Sequence, residues 1–391
     1  MDRERLTVYP RIMLAMFVMG AIVYALLVRD NVDITGKPLG TDFLTFYAAS
    51  QLLLSGHGMD AYDLSVIGPL ENAIVPTTEP FYFPWFYPPP YLLLVAPLSV
   101  LPYAVSYLLW ALAGAALMLG VLLTVVKREG LWLALAFPGV WICFAHGQNG
   151  VITAALAGAA LLQLKKRPVL AGVLIGLLVI KPHLAVLFPV ALIAARAWKA
   201  FAAAAVSAVV TLVSSALVLG LGTIRAWLGS MGDAAGFIES GYLPWSKMPG
   251  VFAALRLLGA GVTAAYAVQA VVALAAIVTV WRIWRSTSSM ELRGAALMSA
   301  IFLVNPYGFD YDTVWLAFPI AWMALYGRRH GWRRGEREVL VAAYVLPAMI
   351  SPLGALHVGV APLVVGAFLL MVARRALPAR QQAPAVVAAV S

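Results

Sequence analysis

Residues 104–126 read AVSYLLWALAGAALMLGVLLTVV, 23 positions without a charge. At 1.5 Å per residue such a helix reaches about 35 Å, enough to cross the ~30 Å hydrocarbon core of a bilayer. The rest of the 391-residue chain repeats the theme, with 63% hydrophobic and 11% charged residues and a mean hydropathy of +0.90. Soluble domains carry about 45–50% and about 25%. That balance excludes a water-soluble globule and a disordered polymer, and the reading is an all-α polytopic membrane protein. Apolar stretches at 12–28, 131–145, 150–164, 168–181, 184–196, 200–222, 262–284, 291–306, 313–326, 336–350 and 358–373 bring the expected count to about 12 transmembrane helices. Those of only 13–16 residues reach roughly 20–24 Å. They are expected either to border a thinned or watery region or to be half-helices of broken pairs. One cysteine, Cys143, excludes an internal disulfide and a thiolate metal cluster.

Charge sets the orientation. With the N-terminus inside, only Arg29, Lys37, Lys181, Arg225, Lys247 and Arg256 of the 27 basic residues fall at the outer end. The other 21 line the cytoplasmic side, which satisfies the positive-inside rule and accounts for the net charge of +10 without nucleic acid as a partner. Both termini are then cytoplasmic. Of 17 acids, Asp30, Asp33, Asp42, Asp60, Asp63, Glu71, Glu79, Asp233, Glu239, Asp310 and Asp312 lie outside, as do His57, His146, His183 and His357. Chemistry is therefore expected on the outer face. Residues 1–376 read as one transmembrane domain with long outer loops at 29–103 and 223–261, whose amphipathic runs 43–54 and 251–258 are expected to lie along the membrane surface. Residues 377–391 read as a flexible cytoplasmic tail. An excess of Arg over Lys, 20 against 7, fits a GC-rich bacterium and hence its inner membrane.

Five stretches could carry chemistry. Asp42 opens the run Asp42-Phe43-Leu44-Thr45-Phe46-Tyr47, where it is either a helix N-cap or a reactive carboxylate at the lipid–water boundary. Asp60 and Asp63 read as turn residues. In Tyr87-Pro88-Pro89-Pro90 the prolines fix an extended chain that cannot sit inside a helix, which makes this an interfacial anchor or the wall of a lipid groove. His146-Gly147-Gln148-Asn149 is a turn or a polar site. Lys181-Pro182-His183 interrupts an apolar run; such a lysine must snorkel to water or meet an anion, a phosphate being one reading. Asp310 and Asp312 share a short outer turn and could hold a divalent metal or serve as a plain turn.

Taken in order, Asp42-Phe43 with Phe46-Tyr47-Ala48-Ala49, the Tyr87-to-Pro90 run, Gly147-Gln148-Asn149, Gly172 to Lys181-Pro182, and Pro306-Tyr307 with Phe309-Asp310-Tyr311-Asp312 resemble glycosyltransferase family 87. That family includes polyprenyl-phosphate-mannose-dependent α-mannosyltransferases. The resemblance implies a GT-C fold with an outer active site. It also implies a lipid-linked sugar donor, a glycolipid or glycan acceptor, and Asp42 as base of an inverting single displacement. Lys181, His183, Gln148, Asn149, His146, Asp310 and Asp312 are then candidates for binding donor phosphate or sugar, with Tyr87, Pro88 and Pro89 along the lipid. Related mannosyltransferases carry a His-bearing stretch where this chain reads Phe309-Asp310-Tyr311-Asp312, so mannose is one candidate sugar among others. The rival reading is a transporter or flippase of a lipid-linked sugar or small solute, which would need a polar path reaching the inner side.

Overall fold

The computed structural model describes residues 5–77 and 82–377, so Glu79 and the expected tail beyond Leu377 fall outside the described residues. Among those described the chain is helical, and its only β pairing is two isolated bridges within 29–38.

The first span, α1 (Arg5–Leu27), leads through a turn-rich segment to α2 (Phe43–Leu54) and α3 (Leu64–Ile74). Nine of the 12 residues of α2 are buried, so this helix is enclosed by protein instead of offering a polar face to water. Asp63 caps α3 by accepting the Ser65 N–H at 2.8 Å, the turn role expected of it. The prolines depart from expectation: Pro89 and Pro90 form the first turn of α4 (Pro89–Val95). A first-turn residue has no intrahelical acceptor for its N–H, so proline costs nothing there. Pro88, Pro89 and Pro90 are all buried.

The quoted stretch forms α5 (Tyr103–Val126), begun after Pro102 and ended at Lys127. The short stretches that follow are broken helices. Residues 131–146 fold as α6 (Leu131–Leu135) and α7 (Pro138–His146), separated where Pro138 removes an N–H. Then come α8 (Gly150–Gln163), α9 (Pro168–Gly176) and, beyond the Lys181-Pro182 interruption, α10 (Leu187–Ala194). Next are α11 (Trp198–Leu219) and α12 (Leu221–Ser240); the latter is 20 residues of helix inside what reads as a second loop. The chain closes with α13 (Val251–Leu257), α14 (Val262–Ser286), α15 (Met290–Val304), α16 (Ala317–His330), α17 (Glu336–Ala355) and α18 (Ala361–Ala376). Among the described residues, five helices are long and apolar enough to cross a membrane: α1 from Val8, α5, α11, α14 and α17. Where about 12 spans are expected, the remaining apolar runs form helices shorter than a bilayer because Pro and Gly interrupt them.

Eleven of the 15 residues of α15 are buried, and α14, α16 and α18 pack around it. Helix α9 carries Gly172 and Gly176 four apart against Ala200, Ala203, Ala204 and Ser207 of α11. A Cβ on Gly172 would meet the Ala203 methyl at 2.6 Å, so only glycine permits this approach, the small-residue packing of membrane helices. The arginine-rich end is tied by the buried pair Arg375–Glu336 at 2.6 Å and by Arg329–Glu291. At the opposite end an aromatic cluster of Phe43, Phe46, Tyr47, Trp85, Tyr91, Tyr103 and Tyr107 forms a second core. The candidate site borders it.

Candidate active site

The segment joining α7 to α8 turns because Gly147 adopts φ +61°, and a Cβ there would lie 2.5 Å from the Phe43 Cβ. This turn presents Gln148. Its amide nitrogen donates to Asp42 Oδ2 at 2.9 Å, while its Oε1 accepts from the Tyr87 hydroxyl at 2.9 Å and from the Asn149 N–H at 3.2 Å. The acceptor bonds fix which way the amide points. Asp42 precedes α2 but makes no side-chain cap bond, its backbone already being helical at φ −75°, ψ −15°. Between the two readings of this residue, the carboxylate is a cavity group and not a cap. Among the described residues it has no ion pair.

Asp42 and Gln148 line a cavity of about 140 Å³ together with Thr45, His146 and Lys247. Its walls are largely aromatic: Phe83, Phe86, Tyr87, Tyr307, Phe309 and Tyr311. Two segments supply them, the Pro84-bearing stretch 83–87 and the turn after α15, while a third around Pro244 adds Leu243 and Lys247. On the polar side His146 Nδ1 lies 2.9 Å from the Ile142 carbonyl, which requires its proton there. Nε2 is therefore a lone pair, and Lys247 Nζ donates to it at 3.2 Å. Lys247 forms no ion pair among the described residues. Asp310, 3% exposed, lies close behind: burial pushes its carboxyl above the usual range, and the nearby Lys247 charge pulls it back.

Lys181 is not on the cavity wall. The residue is 3% exposed, and its ammonium lies 2.6 Å from Asp312 Oδ1, 3.2 Å from Asn149 Oδ1 and 5.0 Å from the Tyr311 ring centre. It does not snorkel; it is an internal cation paired with Asp312. Asp312 Oδ2 accepts the Phe309 N–H at 3.1 Å, and Asp310 Oδ1 accepts that of Tyr311 at 2.8 Å. The two carboxylates thus serve different partners, and no group of three or more metal-type side chains converges among the described residues. His183 packs edge-on against Tyr307 at 5.1 Å, outside the cavity lining.

Sequence reading thus finds Asp42, Gln148, His146 and Tyr87, which the fold gathers into one cavity. Asn149, Lys181 and Asp312 form the support behind it. Two residues counted only as outer charges are placed at the site: Lys247, and Glu71, whose carboxyl binds the cavity-wall residue Phe83. Glu71 had a local signal. It stands four residues after Ile67 on the face of α3 that is buried.

A sequence model of glycosyltransferase family 87 matches residues 85–306, more than half of the chain. Searches of curated proteins and of solved structures return no match. The chain belongs to glycosyltransferase family 87 and is a membrane glycosyltransferase.

Proposed function

We propose that this family 87 enzyme takes a sugar from a polyprenyl-phosphate-linked donor and passes it to a hydroxyl of a lipid or glycan acceptor at the extracytoplasmic face. The observation that carries this reading is one cavity holding an unpaired carboxylate, Asp42, and an unpaired cation, Lys247. The acceptor oxygen attacks the anomeric carbon as the bond from that carbon to the phosphate oxygen breaks. The bonding pair leaves with the phosphate, and the hydroxyl proton goes to Asp42. A phosphate monoester anion leaves without protonation, so the demand on that side is for positive charge, which Lys247 supplies as a point charge. His146 holds the ammonium in place through Nε2. Gln148, fixed by Tyr87, aims the Asp42 carboxylate. A single displacement inverts the anomeric centre. The aromatic walls suit the apolar face of a sugar ring.

A long first span, a buried site-bearing helix in the loop after it and further spans behind support the GT-C architecture implied by the resemblance. Charge supports the assignment of the membrane side, since the arginines gather at the end remote from the cavity. In intact cells Cys at exposed His57 is expected to react with an impermeant maleimide and Cys at exposed Arg334 to stay silent, the native Cys143 being buried. The reverse pattern turns the protein over.

The test of mechanism is Asp42→Asn, scored by polyprenyl phosphate released from a panel of polyprenyl-phosphate sugars. Loss of a general base is expected to lower turnover by about 10²–10⁴, with donor binding unchanged. Near-wild-type turnover removes Asp42 as the base.

A further inference from the structure

Glu71 takes no part in the chemistry above, and its surroundings are unusual for an acid. It is 0% exposed. Its Oε2 accepts the Phe83 N–H at 2.8 Å, while Oε1 has no hydrogen-bond partner. The Thr45 hydroxyl, likewise without a partner in the network, lies beside the carboxyl. The titratable groups that face it are Asp42 ahead of α2, Tyr103 of α5 and Tyr242 beyond α12. Among the described residues no cation pairs with it.

Phe83 is the near end of a strap, Phe83-Pro84-Trp85-Phe86-Tyr87, that supplies four of the cavity's lining residues. The far end is Tyr87, which holds Gln148, which holds Asp42. Trp85, buried between, stands edge-on to Phe46 of α2 at 6.1 Å. A continuous line of contacts therefore runs from Glu71 to the carboxylate assigned as base.

We propose that Glu71 is a positioning residue, an uncharged carboxylic acid that pins the Phe83 end of the strap and thereby sets the aim of Asp42. The proposal rests on Asp42 being the base. An ionised carboxylate at this place would be a buried, unpaired charge next to a second one, a situation relieved only by admitting water. Burial pushes the carboxyl up to about 8, the Phe83 N–H bond and the nearby Thr45 hydroxyl pull it back, and the Asp42 charge adds to the rise. The proton is thus held through neutral pH and lost above it. Loss hydrates the pocket and displaces the strap.

The experiment compares wild type, Glu71→Gln and Glu71→Ala in lipid nanodiscs from pH 6 to 9.5. It measures transfer, and it measures hydrogen exchange of the 82–88 segment corrected for the intrinsic pH dependence. Glutamine keeps the acceptor for Phe83 and cannot ionise. Wild type is expected to lose about tenfold in kcat between pH 7 and 9, following a group that titrates near 8, and to lose strap protection over the same range. Glu71→Gln is expected within about twofold of wild type at pH 7, with both losses abolished. Glu71→Ala is expected to lower kcat at every pH with donor KM little changed; should it fail to fold, the glutamine variant carries the test alone. A glutamine variant that is folded but inactive at pH 7, or one that repeats the wild-type alkaline losses, overturns the proposal. Should Asp42→Asn retain turnover, the assignment of the base fails, while the exchange contrast still judges the Glu71 pin.

Discussion

Two lysines belong to the surroundings of Tyr311, and they live in opposite conditions. Lys181 is sealed in, with Asp312 at 2.6 Å and Asn149 at 3.2 Å. Lys247 stands half-buried at a cavity, with only the neutral side of His146 against its ammonium. The first lies in an apolar run, where an unmatched charge would cost several kcal/mol. That cost draws attention to it in the sequence, yet the fold meets it with an internal counter-ion. The second lies in a Pro-Trp-Ser-Lys loop where a lysine is unremarkable, and there the charge faces the cavity without an ion pair among the described residues, though it acts on nearby Asp310. A conspicuous charge marks an energetic problem that the protein has solved; an available charge marks a place where something else can bind.

The sharpest way to break this contrast is to remove each lysine and ask what is lost. Lys181→Ala leaves Asp312 buried and unpaired, which is expected to cost about 3–5 kcal/mol. Its signature is a large fall in melting temperature and in yield of folded protein. The double change Lys181→Met with Asp312→Leu is expected to restore most of the melting temperature, since an apolar pair of similar volume replaces a buried ion pair with little loss. A Lys181→Ala protein of wild-type stability would erase the distinction.

Lys247→Ala is expected to do the converse. Removing a charge-assisted contact of about 1.5–3 kcal/mol weakens binding of a polyprenyl-phosphate sugar by about ten- to a hundredfold, with melting almost unmoved. An unchanged donor affinity would take the phosphate away from this end of the cavity. His146→Phe sharpens the picture with the smallest effect. It keeps the ring against Tyr311 but deletes the acceptor for Lys247, and a rise in donor KM of several-fold is expected from loss of one ordinary hydrogen bond.

The membrane class was open to reading from composition alone, because 63% hydrophobic content leaves no other solvent. Long spans such as α5 matched their apolar runs to within a few residues. The short runs were legible as too short, but how each would break was not. Pro138 divides one and Pro168 starts α9 at the head of another, and both follow from N–H bookkeeping that a hydropathy scan ignores. At the site, Asp42, His146, Gln148 and Tyr87 were legible as separate polar or aromatic marks. Their convergence was not, since Gln148 reaches Asp42 across 106 residues of chain. Lys247 and Glu71 escaped notice for contrary reasons. One sits in an ordinary loop, and the other is an acid among several in the longest polar stretch, visible only once α3 is drawn as a helix with a buried face.

The modest cavity bears on the order of events. Sites that enclose drug-sized ligands run to about 300–1,000 Å³, and about 140 Å³ is room for one compact polar moiety. A donor headgroup and an acceptor cannot occupy it side by side as it stands. On the proposed reading, the edges around Pro84 and Pro244 are expected to part to admit both. If that parting limits the pace, a viscous or thickened bilayer is expected to slow transfer even when both substrates are abundant.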